Sequence, residues 1–107
     1  MVGAYLLLLA ALGAPGPFVL VNGTGTLIEA LSIRPADGSA TWRSLGGAGV
    51  PARARLSLPS PGGDLCAFDL RARIAGSDIV WPSVNICDVR TVTLNRRPDG
   101  TLWVDYD

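Results

Sequence analysis

The two cysteines, Cys66 and Cys87, bracket the most regular segment of the chain. From residue 66 to 74 apolar and polar positions alternate. Cys66, Phe68, Leu70, Ala72 and Ile74 fall on one side, and Ala67, Asp69, Arg71 and Arg73 on the other. A period of two with one polar face specifies an antiparallel strand, half in the core and half in solvent. Ala75-Gly76-Ser77-Asp78 has a hairpin turn's composition, and Ile79-Val80-Trp81 returns from it. Pro82 removes a ladder donor, so the returning strand is expected to be short or to lie at an edge. Two cysteines allow a single pairing. A Cys66–Cys87 disulfide would close a loop of about twenty residues and stabilise the fold by roughly 3 kcal/mol through loop-closure entropy.

That staple matters because the chain is small. Its 107 residues make one domain, and 49% hydrophobic content supplies a modest core. The net charge is zero, with nine arginines and no lysine, so no bulk attraction to nucleic acid or anionic lipid is expected. Histidine is absent. This removes the Ser-His and Cys-His nucleophile pairs and the commonest metal ligand, and two cysteines alone do not build an ordinary zinc site. No cofactor or metal is expected, and the chain reads as non-catalytic. Asp64, Asp69, Asp78 and Asp88 surround the cysteines in sequence but form no calcium-loop pattern, and are read as turn and strand-surface residues. Gly46-Gly47-Ala48-Gly49 lacks the Lys-Ser/Thr and following helix of a phosphate loop and is read as a connection.

The first residues, from Val2 to Leu12, are mostly apolar and end at Gly13-Ala14-Pro15-Gly16-Pro17. The run is shorter than the ~20 residues a membrane helix needs. It suits the apolar core of a secretory signal, with Ala11 and Gly13 as small residues near a cleavage point. Residues 1–17 are therefore read as a signal-peptide-like segment with a Pro/Gly linker, and residues 18–107 as the domain, with no stable membrane span. Export to the periplasm or beyond would place the cysteines where disulfides persist.

The rest of the chain continues the β pattern. Phe18-Val19-Leu20-Val21-Asn22 is a strand ending in a polar turn, where Asn22-Gly23-Thr24 also matches the N-glycosylation pattern. Residues 26–34 form a second strand if a bulge near Glu29-Ala30 brings Ile28, Leu31 and Ile33 to one face, and a short amphipathic helix is the competing reading that the i, i+3 spacing allows. Residues 40–45 suggest a third, with Trp42 inward. Residues 52–58 alternate, with Ala52, Ala54, Leu56 and Leu58 inward and Arg53, Arg55 and Ser57 outward. The last hairpin turns at Pro98-Asp99-Gly100, a register that pairs Leu94 with Val104, Val92 with Tyr106 and Asn95 with Trp103. The expected fold is all-β: an antiparallel β-sandwich of immunoglobulin-like size with about seven to eight short strands and one disulfide.

The strand stretches from Phe18 to Leu94 carry Asn22-Gly23-Thr24-Gly25, Trp42, Cys66-x-Phe68-Asp69 and Asn85-Ile86-Cys87-Asp88. In these the chain resembles a family of small exported periplasmic bacterial proteins of uncharacterised function, with an Asn-x-Thr-Gly start and a Cys-x-aromatic-Asp paired with a later Cys. The resemblance implies export and the disulfide but no activity. Arg53, Arg55, Arg71 and Arg73 project from outward faces and would form an anion- or partner-binding patch if their strands are neighbours. Trp81 and Trp103 would either line a carbohydrate or peptide surface or serve the core. The functional expectation is an exported, non-catalytic module that binds a periplasmic protein or envelope component and no nucleic acid. A structural or stress-protective envelope protein is the alternative, with a small hydrolase behind it. Nothing in the sequence sets the oligomeric state.

Overall fold

The computed structural model describes residues 16–107. The signal-like run is outside the described residues up to residue 15. The described chain forms eight strands: β1 Phe18–Asn22, β2 Glu29–Pro35, β3 Arg43–Ser44, β4 Arg55–Leu58, β5 Ala67–Ile74, β6 Ser77–Asn85, β7 Thr91–Arg96 and β8 Leu102–Tyr106. They make two four-stranded sheets, ordered β4-β1-β7-β8 and β3-β2-β5-β6. The fold is the all-β sandwich that the alternating patterns call for.

One pairing departs from the antiparallel expectation. β1 runs parallel to β7, with Leu20 beside Val92 and Asn22 beside Leu94. Local hairpin patterns cannot reveal this contact, because it joins segments from opposite ends of the domain. It places β1 in the interior of its sheet, between β4 and β7.

Both sheets turn apolar residues into one core. Leu20, Val92 and Leu94 come from the first sheet, and Ile33, Leu70, Trp81 and Val84 from the second. Trp81 is 1% exposed. Its indole Nε1 donates to the backbone oxygen of Asn95 at 2.9 Å, a polar tie from one sheet to the other. Trp81 thus belongs to the core rather than to a binding surface. β5 buries Phe68, Leu70, Ala72 and Ile74 as the period of two requires. Cys66 breaks the row: it is exposed, just before β5 begins, and its disulfide to Cys87 lies outside the core.

Asp69 also departs from the pattern, being buried rather than outward. The cause is a bulge in β6. Phe68 opposes Val84 but Leu70 opposes Trp81, so one residue on β5 faces both Pro82 and Ser83. Ser83 takes a left-handed φ of 53°, and its N–H donates to Asp69 Oδ1 at 2.9 Å. The bulge lets β6 continue past Pro82 to nine residues, longer than a proline-limited strand, while remaining an edge as expected. The Ala75-Gly76 turn into β6 has positive φ at both residues, the twist a two-residue hairpin needs.

The bulge in β2 lies between Glu29 and Ser32 and brings Ile28, Leu31 and Ile33 to the core. The β7–β8 register pairs Leu94 with Val104 and Asn95 with Trp103, as the turn residues dictate. By contrast β3 and β4 are shorter than the patterns suggested, and Trp42 is half-buried outside the core. The chain turns at Arg53 (φ 67°), so Ala52 is exposed and the inward row begins only at Ala54.

The β1–β2 turn is pinned by Asn22, which is fully buried. Its Nδ2 donates to Thr26 O at 2.7 Å and Val50 O at 2.8 Å. Its Oδ1 accepts the Thr24 N–H at 3.0 Å and the Thr24 hydroxyl at 2.6 Å. The glycosylation-like triplet is therefore a structural turn whose amide is committed on both sides.

Candidate functional site

The four arginines singled out by their outward positions do not share one sheet. Arg55 is on β4 and Arg53 precedes it, in the first sheet, where β4 pairs with β1. Arg71 and Arg73 are on β5, which pairs with β2 and β6 in the second sheet. The condition for one patch, neighbouring strands, is not met. Arg73 pairs with Asp78 at 3.4 Å in solvent, a contact of small energetic weight. Arg71 has a different partner.

That partner is Trp42. β3 pairs with β2 so that Ser44 meets Ser32 and Arg43 meets Ile33. β2 in turn pairs Ser32 with Arg71 and Arg34 with Asp69. These registers bring the residue before β3 beside Arg34 and Arg71. Both guanidinium carbons lie 4.4 Å from the Trp42 ring centroid. Arg34 is also held by Asp69, with Nε donating to Oδ2 at 3.0 Å. Asp69 thus spends one oxygen on Arg34 and the other on the Ser83 bulge. Stacking occupies the faces of the two guanidinium groups, while their remaining N–H donors lie in plane. A planar fork held this way is ready for bidentate contact with a carboxylate or phosphate.

A groove of about 430 Å3 opens beside this cluster. Ile33, Pro35, Trp42, Leu65 and Phe68 give it apolar walls, and Arg34 and Arg43 give it cationic ones. Its volume falls within the ~300–1,000 Å3 range of small-ligand sites. Two features shape its walls. Arg43 Nη2 reaches Pro61 O at 3.4 Å, tying β3 to the 59–65 loop. Cys66, bonded to Cys87, anchors the end of that loop directly after Leu65, and Cys66 O accepts the Ile86 N–H at 3.0 Å. The disulfide therefore fixes one wall of the groove. In the turn after β2, the Ser39 N–H donates to Asp37 Oδ1 at 2.8 Å. The Ser39 hydroxyl, and then its N–H, hold the Asp37 carboxyl below its ordinary value.

A second, shallower groove of about 290 Å3 runs along β8, bounded by Trp81, Pro82, Trp103 and Tyr106. Trp103 is 38% exposed, with the Arg97 guanidinium 5.1 Å from its ring centroid. Among the described residues no three His, Cys, Asp or Glu side chains gather to hold a metal ion, and no helix is long and apolar enough to cross a membrane.

Reading along the chain misses Arg34, Arg43 and Leu65 as site residues. Their meeting with Trp42 depends on the β2–β3 register and on the loop after β4, and neither leaves a local signal. Trp42 next to Arg43 is the one hint the sequence carries.

No family model and no curated protein matches the chain. Its fold is similar to that of a protein from Eubacterium rectale solved by NMR, with a TM-score of 0.62 and 12% identity over 85% of this chain and 86% of that one. At that identity the likeness shows the fold alone.

Proposed function

We propose that the protein is an exported, non-catalytic binding module whose groove beside Trp42 takes an apolar group bearing a carboxylate, presented by a periplasmic protein or envelope component. The observation that carries this reading is Trp42 stacked by Arg34 and Arg71 at 4.4 Å each, beside an apolar groove. An apolar body has somewhere to be buried, and an anion has Arg34 and Arg43 on the groove wall to meet. The Cys66–Cys87 disulfide fits an oxidising compartment. The apolar N-terminal run and the resemblance to small exported bacterial proteins support the periplasm in particular.

Two measurements test this. Titrating N-acetyl-leucine and its amide while following tryptophan fluorescence separates charge from apolar fit. The acid is expected to bind at least about tenfold more tightly than the amide, the ratio lost with a charge-assisted bidentate bond, and Arg43→Ala is expected to weaken it. Equal binding of acid and amide, or none of either, refutes the site. Intact mass before and after reduction, on protein expressed with its own N-terminus, tests export. Loss of roughly the first thirteen residues, as for a cleaved signal, with thiols alkylated only after reduction, supports it. A full-length chain with free thiols refutes it.

A further inference from the structure

Four strands stand at sheet edges: β4 and β8 in one sheet, β3 and β6 in the other. An open edge is a template for another strand, and proteins usually blunt it. Three of these are blunted. β3 has two residues. β4 has four, between Pro51 and Pro59, with Arg55 outward. β6 carries Pro82 and the Ser83 bulge, and its Asn85 N–H is covered by the Tyr106 hydroxyl at 3.0 Å. β8 has one outward charge, Asp105, and none of the backbone devices. Leu102-Trp103-Val104-Asp105-Tyr106 holds no proline, no bulge and no residue with positive φ. Among the described residues it pairs with β7 alone. It also carries two of the four large exposed apolar side chains, Trp103 and Tyr106.

The backbone of β8 has a definite free set. Thr91 and Asp107 exchange both hydrogen bonds, at 3.2 and 3.0 Å, and Arg97 N–H donates to Thr101 O at 2.8 Å. Antiparallel pairs alternate between bonded and non-bonded. Residues 101, 103, 105 and 107 therefore bond towards β7, and Leu102, Val104 and Tyr106 point their N–H and C=O groups away from it.

We infer that β8 is a dimerisation edge, pairing antiparallel with β8 of a second copy of this chain, with Val104 opposite Val104. In that register Leu102 opposes Tyr106 of the second copy, and all three free residues bond. Trp103 opposes Asp105 of the second copy on the outer face. Arg97, 5.1 Å from the Trp103 centroid, is on the same outer face as that carboxylate, one oxygen of which accepts from Asn95 Nδ2 of its own chain at 3.0 Å and the other of which is left to meet a cation. The charges complement. Shifting by one pair in one direction would set Asp105 against Asp105, and like charges directly opposite are unfavourable. Shifting the other way pairs only Leu102 with Val104 and leaves Tyr106 at the turn. The groove along β8 lies beside the row that carries Leu102 and Tyr106, so the second strand's side chains on that face have apolar surface to cover. The pairing is isologous, as a two-fold dimer requires.

Sedimentation velocity over a concentration series tests the inference on the oxidised protein. A monomer–dimer equilibrium is expected. Val104→Pro removes an N–H that points away from β7, so it leaves the β7–β8 ladder intact, and it is expected to weaken the dimer by about tenfold or more through two lost bonds per dimer. Arg97→Glu and Asp105→Arg are each expected to weaken it, and the double variant to restore it. A monomer at every concentration overturns the inference, as does a dimer that responds to neither the proline nor the charge reversals. If Val104→Pro fails to fold, the charge-reversal pair still decides. Binding of an extended peptide at β8 by a protein that stays monomeric likewise overturns it.

Discussion

Replacing Asn22 with alanine is expected to cost the domain about 3 kcal/mol. The side chain is fully buried and makes four hydrogen bonds, two donated to Thr26 O and Val50 O and two accepted from Thr24. At a net ~0.5–1.5 kcal/mol each, four bonds span ~2–6 kcal/mol. The lower half applies because two partners keep or gain another bond. Val50 O still accepts the Ile28 N–H at 3.1 Å, and Thr26 O, 2.9 Å from the Thr24 hydroxyl, gains that donor once Asn22 Oδ1 no longer takes its single proton. Asn22→Asp is the sharper probe. It keeps the shape but turns an acceptor towards two carbonyl oxygens, and burial adds the cost of a charge. Burial and the facing carbonyls would raise that carboxyl's pKa in the folded state above its unfolded value of roughly 3.9. The folded state would then hold the extra proton, so stability falls as pH rises between the two values. Asn22→Asp should therefore be worse than Asn22→Ala at neutral pH and recover on acidification. Urea unfolding followed by tryptophan fluorescence measures both. With a slope near ~1–1.5 kcal/mol per molar for a domain of this size, Asn22→Ala should lower the midpoint by roughly 2–3 M. A loss below ~1 kcal/mol, or an aspartate variant no worse than the alanine variant at pH 7, would refute the pinned-turn argument.

Three further outcomes follow from the same geometry. Replacing both cysteines by serine should cost about 3 kcal/mol, from a sequence separation of 21, and lower the melting temperature by roughly 12–24 °C in calorimetry; Cys66 is exposed, so chain entropy rather than a lost core contact sets the size. Gly23→Ala should cost about 1–3 kcal/mol in the urea assay, because its Cβ would collide with Asn95 Oδ1 and sit 2.8 Å from Thr93 Cγ2, against strand β7. The Asp99 carboxyl should titrate below 3.8 by NMR, held there first by the Thr101 N–H and then by its hydroxyl; its contribution to the last hairpin is complete above the unfolded value and is lost as pH falls through the lower folded one.

The parts of this fold legible in the sequence are those set by period and turn chemistry. Phe68, Leu70, Ala72 and Ile74 declared their face by alternation, and Pro98-Asp99-Gly100 fixed a register that the structure reproduces pair for pair. The misreadings share one cause. Asp69 and Cys66 continue the alternation of β5 in letters but not in space, because the β6 bulge and the strand's start decide what surrounds them. Trp42 reads as a core residue because large aromatic side chains usually are. Here two arginines from other strands cover it instead. The arginine patch divides because strand adjacency is a global property: β4 and β5 are consecutive in the chain yet belong to different sheets. Asn22 could be found as a turn but not as a buried one, since its partner Val50 is 28 residues away.

The two surfaces that remain open after the core is satisfied lie on opposite sides of the sandwich. The Tyr106 hydroxyl on Asn85 N–H puts β8 against β6, which leaves β3 and β4 at the other ends of their sheets. The groove beside Trp42 belongs to the β3 side. Pairing through β8 would then leave the Trp42 groove of each copy open and would carry the two of them on the outer flanks of a dimer. A weak site presented twice gains avidity when the target repeats, provided both sites can engage it at once. A repeating envelope component would satisfy that condition, whereas a single soluble acid would not. The dimer edge and the groove therefore make a joint demand. Disrupting β8 should leave the affinity for a monovalent carboxylate unchanged and reduce binding only to a surface that displays many.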